Sequence, residues 1–320
     1  MSGIRKVSME DVLTILRAAG EATRLRILAL LRHGELTVSE IVQVLDQSQP
    51  RVSRHLKLLG EAGLLTRVQE GTLVFYRLSE SGTAAALLKA MLAPIDEAGA
   101  EVAADFKSLA RIRDERFAEA QAYFRDNAAR WNEIRSLYVA EAEVEKALVE
   151  MAGEAATGSI LDIGTGTGRM LEIFAPKAAR AVGIDMSREM LAVARGQLAN
   201  AGLTDAIVRQ GDMYDLQLED ASRTLVLFHQ VLHYADDPAL ALREAARVLA
   251  PGGRVLVADF APHTEEFLRT EHAHRRLGFA DDDMKAWGVA AGLTPTDIRH
   301  LGGARLGVTI WQFDKPRTEI

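Results

Sequence analysis

The stretch ILDIGTGTGRM, residues 160–170, decides how the second half of the chain folds. It reads as a strand, a glycine-rich turn and the start of a helix, with Gly164, Gly166 and Gly168 at alternate positions around Thr165. Glycine permits a tight turn and lets a ligand approach the backbone closely. The spacing G-x-G-x-G, preceded by Asp162, differs from the G-x-G-x-x-G fingerprint of dinucleotide folds, and the absence of G-K-[ST] argues against a nucleoside triphosphate site. Taken alone, such a turn could be no more than a bend. Its surroundings say more. From Ser159 onward short apolar runs (SILDIG, AVGID, AIVRQGD, TLVLFHQ, RVLVADF) alternate with helical stretches, which predicts a parallel α/β sheet. Asp185 then falls at the end of the second strand, where a carboxylate can accept both hydroxyls of a ribose, and Asp212 at the end of the third. LTPTDIRHL and LGVTIWQFD read as two closing strands joined around Gly302 and Gly303, giving seven in all.

Upstream the pattern is different. Residues 82–150 are almost uninterrupted helix formers, with Pro94 as the strong breaker and no glycine between Gly99 and Gly153, so they form a helical connector. Between Met9 and Arg32 apolar residues recur at helical spacing, which predicts two helices, the second stopped by Gly34. Thr37 and Glu40 form a T-x-x-E capping box for a third helix ending near Asp46. Gln47 to Gly63 reads as a fourth helix with Pro50 in its first turn. LLTRV and TLVFYRL follow, separated by Gln69, Glu70 and Gly71, as a β-hairpin. Four helices and a hairpin in this order describe a winged helix-turn-helix. The fold class is therefore multidomain, α and α/β: residues 1–85, a connector over 86–150, and a Rossmann-like domain over 151–320.

At 320 residues, with 48% hydrophobic and 26% charged residues, the chain has the composition of a globular protein of more than one domain. It contains no cysteine, which excludes disulfides, thiolate metal sites and cysteine nucleophiles. The first twenty residues lack the continuous apolar core of a signal peptide, and no later run reaches membrane-spanning length, so a cytoplasmic location is expected. The net charge of −7 is uneven: residues 1–85 carry 11 Lys+Arg against 9 Asp+Glu, leaving 27 against 36 for the rest. A nucleic-acid site belongs in the first segment, and it needs a local basic patch.

The fourth helix supplies such a patch. Gln49, Arg51, Ser53, Arg54 and His55 offer donors to phosphates and base edges, while Val52, Leu56 and Leu59 are spaced to pack inward. A polar outer face is equally what a solvated surface helix shows. In the second half His229 and His233 stand at H-x-x-x-H, which lacks a third ligand and suits pocket lining better than metal. His263, His272 and His274 form a loose cluster, either surface histidines or part of a substrate cap. If the domain transfers a methyl group, His229, His233 and Asp259 are the candidates for a general base.

EATRLRILALLRHGELTVSEIVQVLDQSQPRVSRHLKLLGEAGLLTRVQEGTLVFYRLS closely resembles the ArsR family of bacterial repressors, over residues 9–80. The resemblance implies a homodimer paired through the first helix and the helix after the wing, on double-stranded operator DNA contacted by Ser48, Gln49, Arg51, Ser53, Arg54 and His55. Where founding members carry a cysteine pair, this chain reads Glu35-Leu36-Thr37-Val38-Ser39-Glu40-Ile41, so soft-metal sensing there is excluded. The wing tip, Gln69-Glu70-Gly71-Thr72, is poor in the arginines common in the family.

ILDIGTGTGRM, AVGIDMS, GDMYDL, HQVLHYADDP and ARVLAPGGRVLVADF together resemble class I S-adenosylmethionine-dependent methyltransferases, closest to the UbiE-like group, over about residues 155–260. The resemblance implies S-adenosylmethionine or S-adenosylhomocysteine as cofactor. It places Asp162 beside the methionine moiety, Asp185 at the ribose, and Asp212 with Met213 at the adenine, and Gly164, Thr165, Gly166, Gly168, Met186, His229 and Arg135 are the further cofactor-binding candidates. FRDNAARWNEIR, residues 124–135, is similar to the segment that folds over the cofactor, which makes Tyr123, Trp131 and Arg135 candidates for a lid; an amphipathic connector is the alternative. Phe228-His229-Gln230 does not match the [DNS]-P-P-[YFW] of base-modifying enzymes, and the lack of cysteine disfavours arsenite methylation. The combination is similar to proteobacterial fusions proposed to sense S-adenosylhomocysteine. A regulator, most simply a repressor, is expected, with no metal and no membrane partner. The alternative is an active small-molecule methyltransferase with an autoregulatory helix-turn-helix.

Overall fold

Two compact units divide the chain, Met1–Ala118 and Glu119–Ile320. The computed structural model describes residues 7–79, 82–128, 131, 141–302 and 306–317. In the first unit α1 (Met9–Ala19) is capped by Ser8 and α2 (Ala22–Leu30) by Glu21. A short 3-10 turn, Leu31–His33, ends at Gly34, whose φ of 118° lies where a side chain would be strained. The Thr37–Glu40 capping box forms in full: Thr37 Oγ1 accepts from the Glu40 N–H at 3.3 Å, and Glu40 Oε2 accepts from the Thr37 N–H at 2.7 Å. It starts α3 (Val38–Leu45), which ends at Asp46 in the left-handed region. α4 (Gln49–Glu61) follows with Pro50 in its first turn, slightly shorter than its expected span because Ala62 and Gly63 leave the helix.

The hairpin pairs β2 (Leu65–Glu70) with β3 (Leu73–Leu78) in antiparallel register from Leu65 opposite Leu78 to Glu70 opposite Leu73. Gln69 and Glu70 therefore belong to the strand, and the turn sits at Gly71 and Thr72, one step later than expected. A two-residue strand, β1 (Leu36–Thr37), pairs with the other side of β3, a pairing too short to show in the sequence. Two further helices are α5 (Gly82–Leu92) and α6 (Ala100–Asn127). The unit's core joins Ile27, Leu28, Leu56 and Leu59 to Leu88 and Leu109. Asp105 of α6 is buried and takes Arg26 of α2 in a two-pronged ion pair at 2.6 and 2.7 Å.

The second unit is a seven-stranded sheet. β4 (Ser159–Ile163), β5 (Arg180–Asp185), β6 (Ile207–Gln210), β7 (Arg223–His229), β8 (Leu249–Phe260), β9 (Thr294–Leu301) and β10 (Val308–Asp314) lie in the order β6-β5-β4-β7-β8-β10-β9. The first five strands are parallel, and β10 runs antiparallel to both neighbours. Helices cover both faces, which explains the continuous apolar runs. Leu225 and Leu227 pack beneath α7 (Glu141–Ala152), whereas Val226 and Phe228, one residue out of step, pack against α10 (Pro238–Val248) and α12 (Asp281–Ala290). The remaining helices are α8 (Arg169–Phe174), α9 (Arg188–Asn200) and α11 (Phe267–His272). Chain order in the sheet reverses between β4 and β7, so a crevice for a ligand is expected at the C-terminal ends of these two strands.

Candidate functional site

On α4 the inward residues Val52, Leu56 and Leu59 are fully buried, so the helix presents its opposite side to solvent. Ser48, Gln49, Arg51, Ser53 and Arg54 are all exposed there. Neither Arg51 nor Arg54 has an ionic partner among the described residues. His55 departs from the expectation. Its side chain is only 13% exposed and its Nδ1 lies 3.6 Å from Glu21, the cap of α2, because position 55 turns toward α2. Burial pushes its pKa down, so it is held neutral and turned inward. Lys57, which the sequence reading passed over, is exposed and 3.8 Å from Glu61. In the wing Arg77 pairs with Glu35 at 3.4 Å, and Arg67 donates to the Gln69 side chain.

The glycine-rich turn hangs from the end of β5. The N–H groups of Gly164 and Thr165 both donate to Ile184 O, at 2.8 and 3.0 Å, and the Gly166 N–H donates to Asp185 Oδ2 at 2.8 Å. A side chain at Gly164 would collide with Val231, and its φ of 70° is left-handed, so glycine is required twice over. Gly166 also has positive φ, and Gly168 begins α8 in the left-handed region. Asp162 is buried in β4, and the Thr165 hydroxyl is buried with no hydrogen-bond partner among the described residues. Asp185 Oδ1 also accepts from the Ser187 N–H at 2.8 Å. Burial raises the Asp185 pKa above its ordinary value of 3.8, although these backbone donors work the other way. Met186, Asp212 and Met213 are half-buried, and Asp212 Oδ1 accepts from the Tyr214 N–H at 2.9 Å. The turn and the two strand-end acids thus line one edge of the sheet, as the sequence places them.

The segment after β7 is not a helix long enough to put His229 and His233 on one face. His229 ends the strand, buried, with Nε2 at 3.6 Å from Glu141 of α7. His233 lies in a 3-10 turn, Leu232–Tyr234, and its Nδ1 is 2.7 Å from Asp259 Oδ1 at the end of β8. His274 stacks on His233 with ring centroids 4.0 Å apart, so it is a buried group rather than a surface one. Among the described residues no group of His, Asp and Glu is arranged to hold a metal ion. Of the lid candidates, Trp131 brings its indole Nε1 to 3.6 Å from where a side chain on Gly166 would begin, and Tyr123 O–H bonds His272 Nδ1 at 2.7 Å. Arg135 lies outside the described residues. Glu141, Val231 and the His233–Asp259 contact were not legible as a constellation, because they meet only through the sheet order. The one available signal was that Asp259 interrupts an apolar strand, RVLVADF.

Residues 21–67 match the family model of the bacterial regulatory protein, arsR family, and residues 161–257 match that of the methyltransferase domain. The chain joins an arsR-type helix-turn-helix to a methyltransferase domain. The arsR-type segment is 48% identical over 66 residues to the arsenical resistance operon repressor of Escherichia coli, covering 20% of this chain and 56% of the repressor. The methyltransferase domain is 38% identical over 117 residues to the ubiquinone/menaquinone biosynthesis C-methyltransferase UbiE of Bdellovibrio bacteriovorus, covering 36% of this chain and 49% of that enzyme. It is 32% identical over 162 residues to a demethylmenaquinone methyltransferase of Tropheryma whipplei, covering 51% and 64%. The chain therefore spans less than two thirds of each of these relatives. Among the described residues no helix is long and apolar enough to cross a membrane.

Proposed function

We propose that the chain is a transcriptional regulator, acting as a repressor, whose methyltransferase domain binds S-adenosylhomocysteine or S-adenosylmethionine and thereby sets operator occupancy. The observation that carries this is the pair Arg51 and Arg54, exposed on α4 and without an ionic partner among the described residues, in one chain with a glycine turn closed by Asp185. Two guanidinium groups on an exposed helix face suit phosphate and base edges. Met9 and Leu16, large apolar side chains 80% and 43% exposed on α1, support pairing of two copies through that helix.

The residues at the strand edge fit an adenosyl ligand. Asp185 would accept the ribose hydroxyls, the turn Gly164–Gly168 would face the methionine moiety beside Asp162, and Asp212 with Met213 would hold the adenine. Met186 and His229 complete the surround. When bound, S-adenosylmethionine supplies a transferable methyl on a sulfonium; its demethylated product supplies the same contacts without the charge. Within the first unit Arg116 pairs with Glu40 of the α3 capping box, and within the second Phe124 packs on Tyr234 at 4.9 Å.

A sensor must bind the DNA-free and DNA-bound states with different affinity, since a ligand with no preference moves nothing. The expected coupling is about 1–3 kcal/mol, roughly 5–150-fold in operator affinity, with S-adenosylhomocysteine releasing the DNA and S-adenosylmethionine acting more weakly. Fluorescence anisotropy on labelled operator at saturating ligand measures it, and calorimetry with operator present must return the same factor. If neither ligand moves the DNA titration, the sensor reading fails.

A further inference from the structure

Beside the glycine turn, at the ends of β7 and β8, an unusual number of titratable rings is packed together. Asp259 is fully buried and His233 is 2% exposed. Asp259 accepts from His233 Nδ1 at 2.7 Å and also from the backbone N–H groups of His233 and Phe260, at 3.3 and 2.8 Å. That leaves His233 Nε2, which makes no hydrogen bond among the described residues, as the acceptor nitrogen of the ring. His274 stacks on the ring, with its own Nδ1 buried and unpartnered among the described residues, and the Tyr234 ring lies 4.1 Å from His233 and 5.2 Å from His274. His263 Nδ1 accepts from the Glu265 N–H, so its buried Nε2 carries a hydrogen that has no acceptor among the described residues. An ordinary core fills such space with leucine, because each unpaired buried polar group costs about 1–3 kcal/mol.

We propose that this cluster is an acceptor site for a neutral phenolic hydroxyl, with His233 as the general base and Asp259 as the residue that positions it. The inference rests on the adenosyl-ligand reading above. Position follows from packing: Val231, two residues before His233, lies directly against Gly164, and Trp131 lies against Gly166, so the cluster borders the turn that would hold the methionine end. The rings of Phe124, Tyr234 and Trp131, with edge-to-face separations of 4.9 and 5.4 Å about Phe124, offer a wall for a planar aromatic acceptor. Charge selects for neutrality. Burial holds His274 well below its usual pKa and His263 down at about 4, so both are neutral polar partners. Arg269 and Arg275 are engaged by Glu266 and Asp236 at 3.1 and 3.0 Å. In the transfer the phenolic oxygen forms a bond to the methyl carbon as the C–S bond breaks. That bond's electron pair passes to sulfur, the sulfonium becomes a thioether, and the phenolic proton passes to His233 Nε2. Asp259 stabilises the resulting imidazolium.

The test uses the full chain loaded with S-adenosylhomocysteine and a panel of simple and fused phenols, their methyl ethers and the matching carboxylates, read by calorimetry. Phenols are expected to bind and carboxylates not. With a tritiated methyl donor, His233→Gln should lower transfer at least about 100-fold while phenol affinity stays within about threefold, the range expected for loss of a general base. Asp259→Asn should lower kcat with KM unchanged, which a purely structural clamp would not do. His274→Phe, which keeps the stack but removes the ring nitrogens, should weaken phenol binding about tenfold and guards against a His233 variant that misfolds. Failure of every phenol to bind while S-adenosylhomocysteine binds, or transfer by His233→Gln within about threefold of the parent, overturns the proposal. Failure of S-adenosylhomocysteine itself to bind overturns the reading beneath it instead.

Discussion

On the outer face of α4, Arg51 and Arg54 are exposed and carry no ionic partner among the described residues, whereas at the C-terminal edge of the large sheet Asp185 is half-buried against two backbone N–H groups and Asp259 is wholly buried against His233. The difference separates two kinds of recognition. Charges in water, free to meet a polyanion, work through counterion release and weaken steeply with salt. Charges withdrawn from water and aimed by backbone donors depend on geometry and on proton occupancy, and salt touches them little.

The largest effect expected lies behind the exposed face. Asp105→Ala leaves Arg26 with Glu101 alone, 3.1 Å away on the solvent side, in place of a buried two-pronged partner. Breaking a buried pair by removing one member costs about 3–5 kcal/mol. Denaturant unfolding followed in the arsR-type unit should show that loss, and operator binding should fall through unfolding with its salt slope intact. A loss under about 1 kcal/mol would show that solvent screens the pair.

Next in size is Asp185→Ala, which should reduce affinity for both adenosyl ligands about 100-fold, since hydrogen bonds to a charged group are worth about 1.5–3 kcal/mol each. The pH dependence sharpens the contrast. In the free protein burial raises the Asp185 pKa above 3.8, so the carboxyl takes up a proton more readily than an exposed aspartate does. Ribose hydroxyls donate to the ionised form, so binding expels that proton. Affinity should therefore fall as pH drops through the raised value and be flat above it, and Asp185→Asn should remove the dependence. Calorimetry across pH and salt checks both; a strong salt dependence would erase the distinction between the two surfaces.

Much of this was legible because it is local. The Thr37–Glu40 capping box, the Gly34 stop, the inward Val52, Leu56 and Leu59, and the alternation of apolar runs with helices are set by residues near one another in sequence, and the structure has each of them. The sequence also placed Asp185 and Asp212 at strand ends, and Asp162 just before the glycine turn. What it missed depends on contacts between distant segments. His55 reads as outward by helical phase near the face's border, but Glu21 lies on that side. His233 and Asp259 are 26 residues apart and meet because β7 and β8 are neighbours in parallel register. The β1–β3 pairing and the partnership of Arg26 with Asp105 have no local signal at all.

Smaller changes follow for the exposed cations. Arg51→Ala or Arg54→Ala should each weaken operator binding by about 1–3 kcal/mol if the side chain reads a base, or lower the salt slope by about one if it meets a phosphate. Gel-shift titrations at several salt concentrations distinguish the two, and adenosyl-ligand affinity should not move. Unchanged binding by the double variant would show that another surface meets the DNA.

The smallest effect tests whether the face of α4 depends on the helix in front of it. Thr37→Val keeps the shape of a buried side chain but removes the oxygen that accepts the Glu40 N–H. Loss of such a cap costs about 1 kcal/mol. For a unit of this size that is a fall of several degrees in Tm. Glu40 still accepts the Thr37 N–H and still pairs with Arg116, so half of the box survives and the cost should stay near that figure. No charge facing solvent is removed, and the salt slope of operator binding should equal that of the parent protein. Glu40→Gln is the companion measurement, because it retains an acceptor for the Thr37 N–H while discharging the partner of Arg116. If Thr37→Val alone flattens the salt slope, α3 sets the aim of Arg51 and Arg54, and the exposed face is as dependent on buried geometry as the edge of the sheet.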